Sequence, residues 1–187
     1  MHTVTHLLLG WTLATACPLS RRDRALVALA GVLPDLDALG IVVEKATLHT
    51  EQPLFWYARF HHVLAHNLPC ALLSTGVAVA LARRRIRAPL LVAASFHLHL
   101  LADLVGARGP DGATWPIHYL WPCADLGLSW SGQWAINAWP NFVVTILALA
   151  WVFWVAGTRG HSPLELVSRR ADGAFCGTVR GWWRRGG

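Results

Sequence analysis

Three carboxylates lie inside otherwise apolar stretches of the chain, each with histidines nearby in sequence or in the expected topology. They are Asp35 and Asp37 in Leu33-Pro34-Asp35-Leu36-Asp37, and Asp103 in His97-Leu98-His99-Leu100-Leu101-Ala102-Asp103. His6, His61, His62 and His66 stand in comparable surroundings. An ionisable group at membrane depth is costly to desolvate, so its presence there points to function. Imidazole and carboxylate together form the ligand set of Zn²⁺ and related divalent metals. The chemistry these residue types could do is therefore metal binding. The reaction class that suits it is hydrolysis, because carboxylate-bridged ions activate water and stabilise charge on the scissile group.

Spacing sorts the candidates. His99 and Asp103 are four residues apart, so on a helix they share one face and can ligate one ion or bridge two. His97 points elsewhere on the same helix and reads as a packed or supporting histidine. His62 and His66 are also four apart, whereas His61 and His66 are five apart, a poorer match to one face. Spacing alone selects His62 with His66; a helix that begins only after His61 would leave His61 free to turn inward. Asp35 and Asp37 would splay to different faces of a regular helix. Pro34 removes an amide donor and can break the segment, which would let both carboxylates face one cavity. With His6, in Thr5-His6-Leu7-Leu8-Leu9-Gly10, the set exceeds what one tetrahedral ion needs. Two or three ions, or one ion plus a general base, would use it.

The elements that must hold these residues are membrane helices. The chain has 187 residues, one domain by length, and is 55% hydrophobic and only 14% charged; soluble domains carry about 25% charged residues. Mean hydropathy is +0.41. Apolar stretches cover 4–17, 25–43, 63–82, 88–105 and 134–156. The last four approach the roughly 20 residues that cross a hydrocarbon core, and the first is short enough to require tilt, local thinning or partial entry. The expected fold is all-α: a polytopic bundle of about five membrane helices over 1–157, followed by a basic cytoplasmic tail over 158–187. Trp182 and Trp183 among the tail arginines would anchor it at the interface or else lie in a solvated extension.

The arginines set the topology. Arg21, Arg22 and Arg24 follow the first stretch, Arg83, Arg84, Arg85 and Arg87 the third, and Arg159, Arg169, Arg170, Arg180, Arg184 and Arg185 the fifth. The alternate loops hold only Lys45, Arg59 and Arg108. The positive-inside rule puts the arginine clusters in the cytoplasm and the N-terminus outside. His6, Asp35, Asp37, His61, His62, His66, His99 and Asp103 then all fall toward the outer side. The net charge of +6 is explained by these clusters, and no nucleic-acid partner is expected. Outer-side tryptophans at 56, 115, 121, 130, 134 and 139 would form an interfacial belt or a wall around a lipid headgroup.

Other chemistries are disfavoured. Cys17, Cys70, Cys123 and Cys176 form no Cys-x-x-Cys pair. No Gly-rich phosphate loop and no Gly-x-Ser-x-Gly elbow is present, and Ser95 and Ser129 lack a surrounding motif. Residues 7–16 have the apolar core of a signal peptide, but no Lys or Arg precedes them, so cleavage is not expected.

Thr5-His6 with Gly10, Leu33-Pro34-Asp35-Leu36-Asp37, His61-His62 with His66, His99-Leu100-Leu101-Ala102-Asp103 and the stretch 115–122 occur in that order. This series resembles the YdjM-like bacterial inner-membrane metal-dependent hydrolases over about residues 1–125. That family is in turn distantly similar to zinc-dependent phospholipase C and the P1-type nucleases, helical proteins with clustered zinc ions. The resemblance implies metal ligation by His6, Asp35, Asp37, His61, His66, His99 and Asp103. The family often has His-Arg where this chain has His61-His62, so the resemblance favours His61 as the ligand and helix spacing favours His62.

The sequence therefore predicts a multi-pass protein of the bacterial cytoplasmic membrane. Its expected activity is hydrolysis of a phosphoester, with a membrane lipid as a candidate substrate, at the outer face. Zn²⁺ or Mn²⁺, more than one ion, is the expected cofactor, with Asp35, Asp37 or His62 in catalytic roles. A transporter of metal ions or protons is the principal rival; it would need polar residues through the whole membrane, and the cytoplasmic halves of the stretches are nearly all apolar. A structural metal in a non-catalytic protein is the third reading, and such sites are usually closed and four-coordinate.

Overall fold

The computed structural model describes residues 1–109 and 112–185. The described residues are helical, without β-strands; only two isolated bridges occur, Arg108 with Ala135 and Ile117 with Leu128. The helices are α1 (Thr3–Ala16), α2 (Arg21–Ala30), α3 (Gly40–Thr47), α4 (Trp56–Phe60), α5 (Leu68–Leu81), α6 (Arg87–Gly106), α7 (Trp139–Arg159) and α8 (Arg169–Arg185). A 3-10 segment, Leu33–Leu39, links α2 to α3, and a shorter one, Pro163–Leu166, precedes α8.

At the centre is α1, packed against α2, α6 and α7. Small residues make that packing close. A Cβ at Gly10 would meet Ser95 Oγ at 2.9 Å and Ala28 O at 3.0 Å, and one at Gly31 would meet His6 O at 2.9 Å. Such small-residue contacts bring helix backbones together where lipid offers no hydrophobic drive for association. Ala14, Val27, Ala30, Ala78 and Val92 form one apolar core; Leu8, Trp11, Ala28, Ala148 and Val152 form another.

The outward faces are aliphatic. Leu72, Leu73, Ile146 and Leu147 are each more than 60% exposed, and a patch of this kind belongs against lipid rather than water. Two helices, α6 and α7, are long and apolar enough to cross a membrane. At about 1.5 Å per residue each covers the roughly 30 Å hydrocarbon thickness. The segment α2 through α3 is a third if its two parts are one span bent by 51°.

Two expected stretches take a different form. The stretch 25–43 breaks after Ala30, and Pro34 enters the 3-10 turn, so Asp35 and Asp37 sit on irregular backbone. The stretch 63–82 is helical only from Leu68: Asn67 caps α5 by accepting from Cys70 N, and Pro69 follows in the first turn. His61, His62 and His66 therefore lie on turns and bends, and helix spacing does not apply to them.

The C-terminal residues dock. Ala156 of α7 packs with Cys176 and Val179 of α8, while Arg24 of α2 pairs through both Nε and Nη2 with the Glu165 carboxylate at 2.7 Å. α7 ends at Gly160, whose φ of +73° is the left-handed conformation that glycine adopts without cost.

Candidate metal centre

Asp103 is the focus of one end of the bundle. It sits in the last turn of α6, 1% exposed, and four imidazoles turn their Nε2 atoms to its carboxylate. His6 Nε2 is 3.0 Å from Oδ1; His99, His66 and His62 Nε2 are 3.0, 3.5 and 3.8 Å from Oδ2. Asp35 Oδ1 lies 3.7 Å from His99 Nε2. The N-terminal amine of Met1 also contacts Asp103 Oδ1. The ligand atoms fall into two groups: His6, Asp35, His99 and Asp103, and His62, His66 and Asp103, with Asp103 common to both.

Local structure delivers each group. α1 carries His6 past the Gly31 bend, the 3-10 turn presents Asp35, and the segment before the Asn67 cap presents His62 and His66. His62 adopts φ +66°, a left-handed conformation that costs a residue with a Cβ about 1–2 kcal/mol. The rings of His6 and His99 stack, centroids 3.7 Å apart.

Hydrogen bonding decides what these nitrogens can do. His99 Nδ1 donates to Gly31 O at 2.8 Å, so in a neutral ring the Nε2 lone pair points at Asp103. His66 Nδ1 donates to Asp37 Oδ2 at 2.9 Å, again leaving its Nε2 lone pair inward. The two Nε2 atoms are 3.2 Å apart. Lone pairs converging on a buried carboxylate need a proton or a cation between them. His6 Nδ1, His62 Nδ1 and Asp35 Oδ2 are also buried without a hydrogen-bond partner, so donor capacity is left over. An imidazole whose Nδ1 is held by a carboxylate or carbonyl is the usual arrangement of a metal-ligating histidine. The donor set, nitrogen and carboxylate oxygen without thiolate, suits a borderline divalent cation.

Asp37 and His61 stand behind this ring, in neither group. Asp37 accepts from His61 Nδ1 at 2.8 Å, from His66 Nδ1 and from Ala65 N at 3.3 Å, so it holds both imidazoles in place. His62, not His61, has its Nε2 directed at Asp103. Burial holds the His62 imidazole well below its ordinary range, and neighbouring His66 pushes the same way. His97 turns away, bonding Ala93 O and Tyr119 OH.

A cavity of about 390 Å³ opens above His61 and His62, walled by Tyr57, Arg59, Trp115 and His118. Trp115 stacks edge-on against both histidines. Gln133, which no sequence pattern marks, links this wall to the centre: its side chain donates to Asp103 O at 2.8 Å and accepts from Trp115 N at 3.1 Å. It is 1% exposed. An amide in a polar loop carries no signal that it will be buried.

The YdjM inner membrane protein family matches residues 1–169 of the chain. No curated protein and no solved structure matches it. With the match covering well over half of the chain, the chain belongs to the YdjM inner membrane protein family.

Proposed function

We propose that this protein is a metal-dependent hydrolase of a phosphoester, such as a phospholipid, working at the outer face of the cytoplasmic membrane. The observation that carries the reading is the convergence of four imidazole nitrogens and Asp35 on the buried Asp103 carboxylate. In this reading His6, Asp35, His99 and Asp103 hold one ion, His62, His66 and Asp103 hold a second, and the ions are Zn²⁺ or Mn²⁺. Bound divalent ions supply Lewis-acid stabilisation of phosphoryl oxygens and activation of water.

The chain's own groups do the rest. Asp37 orients His66 and His61 through their Nδ1 protons. Gly31 O orients His99. Tyr57 and Trp115 narrow the approach, which limits water around the centre. Arg59, on the rim, offers a guanidinium to an anionic group. His62 lines the cavity and would hold the second ion through the Nε2 that faces Asp103, its Nδ1 having no hydrogen-bond partner among the described residues.

α1 and α5, 14 residues each, enter the bilayer beside the three longer segments, giving five membrane segments with the His/Asp end outside. The alternation of arginine-rich and arginine-poor connections supports this orientation.

The test is turnover of bis-p-nitrophenyl phosphate and of phospholipid vesicles by detergent-purified protein, before and after chelation and on return of Zn²⁺ or Mn²⁺. Turnover lost on chelation and restored by metal is the expected result. A fully metal-loaded protein inert on every phosphoester tried would remove the hydrolase reading.

A further inference from the structure

A second large cavity lies at the opposite end of the bundle from Asp103. It measures about 760 Å³, within the size range of ligand sites. Its walls are the C-terminus of α1, the N-terminus of α2, the turn between α5 and α6, and the residues just after α7. His6 and Ala16 bracket most of α1, so at about 1.5 Å per residue the two ends are about 15 Å apart along that helix.

Four guanidiniums line the cavity: Arg24, Arg83, Arg84 and Arg159. Two are engaged elsewhere, Arg24 with the Glu165 carboxylate and Arg159 with Thr15 O. Arg83 and Arg84 are different. Among the described residues neither side chain has a hydrogen-bond or ion-pair partner, yet their backbone is fixed. Asp23, fully buried in the first turn of α2, accepts from Arg83 N at 2.8 Å and from Arg84 N at 3.3 Å. A buried carboxylate thus spends its acceptors on holding a turn whose two guanidiniums stay free over a cavity. The carboxylates of Asp23 and Glu165 offset only part of the cationic charge. Ala16, Cys17, Pro18 and Leu19 add an apolar stretch to a wall completed by Ser20 and His161.

We infer that this cavity binds a phosphate group, with Arg83 and Arg84 as its principal ligands. Guanidinium matches phosphate oxygens in a two-pronged geometry. The apolar stretch and the position at a bundle end suit the headgroup of an anionic phospholipid, with its phosphate between the arginines and its glycerol against Leu19. Basic pockets between membrane helices bind such headgroups. Exposed Trp182 and Trp183 on the basic helix α8, which packs on α7 at this same end, mark the level of the membrane interface. Free inorganic phosphate shares the recognition chemistry and is the other source.

Calorimetric titration of the full-length protein in detergent separates these. The probes are dihexanoyl phosphatidylglycerol below its micelle concentration and inorganic phosphate. Saturable binding of at least one probe is expected, weakened about tenfold or more in Arg83→Gln/Arg84→Gln. Arg85→Gln, which does not line the cavity, and Asp103→Asn should bind like wild type; the second keeps this test separate from the metal centre. Preference for the lipid identifies a headgroup site, and equal occupancy by phosphate alone identifies a free-anion site. Absence of saturable binding for both probes, or undiminished binding in the double variant with its helical content and elution profile intact, would overturn the inference.

Discussion

The two ends of this bundle are built from the same helices and treat charge in opposite ways. At the His/Asp end, α1, α6 and the bend after α2 bury their ionisable groups almost completely, and three imidazoles are pinned by named partners: His99 by Gly31 O, His66 and His61 by Asp37. At the arginine end, α1, α2 and the α5–α6 turn leave guanidiniums at the surface, and the buried carboxylates Asp23 and Glu165 serve to place them. Burial without a mobile counter-ion demands that charge be balanced on the spot, which favours a bound cation among carboxylates and imidazoles. Exposure to headgroups and water leaves charge available for an outside partner. One fold thus carries a cation-seeking end and an anion-seeking end.

That contrast can be broken first at Asp103. Asp103→Asn removes the charge common to both ligand groups, and His99→Ala removes the helical partner four residues before it. Metal content and any phosphoester turnover should fall below detection in both, while membrane fractionation still recovers the protein, because the apolar spans and arginine loops that drive insertion are untouched. Loss of insertion instead would mean that the residues are structural. Asp37→Asn is the next largest change. It keeps the shape but weakens the grip on His66 and His61, and metal affinity measured with a chelator series should drop about 10–100-fold; an unchanged affinity would put Asp37 outside the site altogether.

At the other end, Glu165→Gln should leave metal content at the wild-type level and cost about 1–2 kcal/mol of stability in denaturant titration, since it discharges one side of a largely buried pair with Arg24. A matching loss of metal would show that the two ends are coupled. The smallest effect is expected for Gln133→Ala, which frees Trp115 N and Asp103 O without touching a ligand. Metal binding should persist, and turnover should fall severalfold, by about 1 kcal/mol in the barrier.

Some of this was legible in the sequence. His99 and Asp103 share a helix face because four residues make about one turn, and their contact at 3.0 Å follows. Pro34 announced the break, but the break does not turn both carboxylates to one cavity as expected: Asp35 joins the ligand atoms and Asp37 stands behind them. The failure came where hydropathy was asked to locate a helix start: 63–67 is apolar enough to join α5, but the cap at Asn67 and Pro69 excludes it, and the histidine spacing there lost its meaning. Which of the two rings faces Asp103 accordingly needed coordinates: His62, at φ +66°, has its Nε2 on that side. Partners supplied by backbone, such as Gly31 O, carry no residue signature. Nor do contacts across 141 positions, such as Arg24 with Glu165, which tie the residues after α7 back to α2.

The most direct test of the metal centre is elemental analysis of the wild-type protein and Asp103→Asn, both purified in mild detergent without added metal or chelator. Zn²⁺ or Mn²⁺ is expected in at least equimolar amount in the wild type, approaching two ions per chain, with a metal-free variant of the same helical content. A folded wild-type protein that carries no divalent metal and takes none up on titration, with Asp103 still buried among four imidazoles, would contradict it.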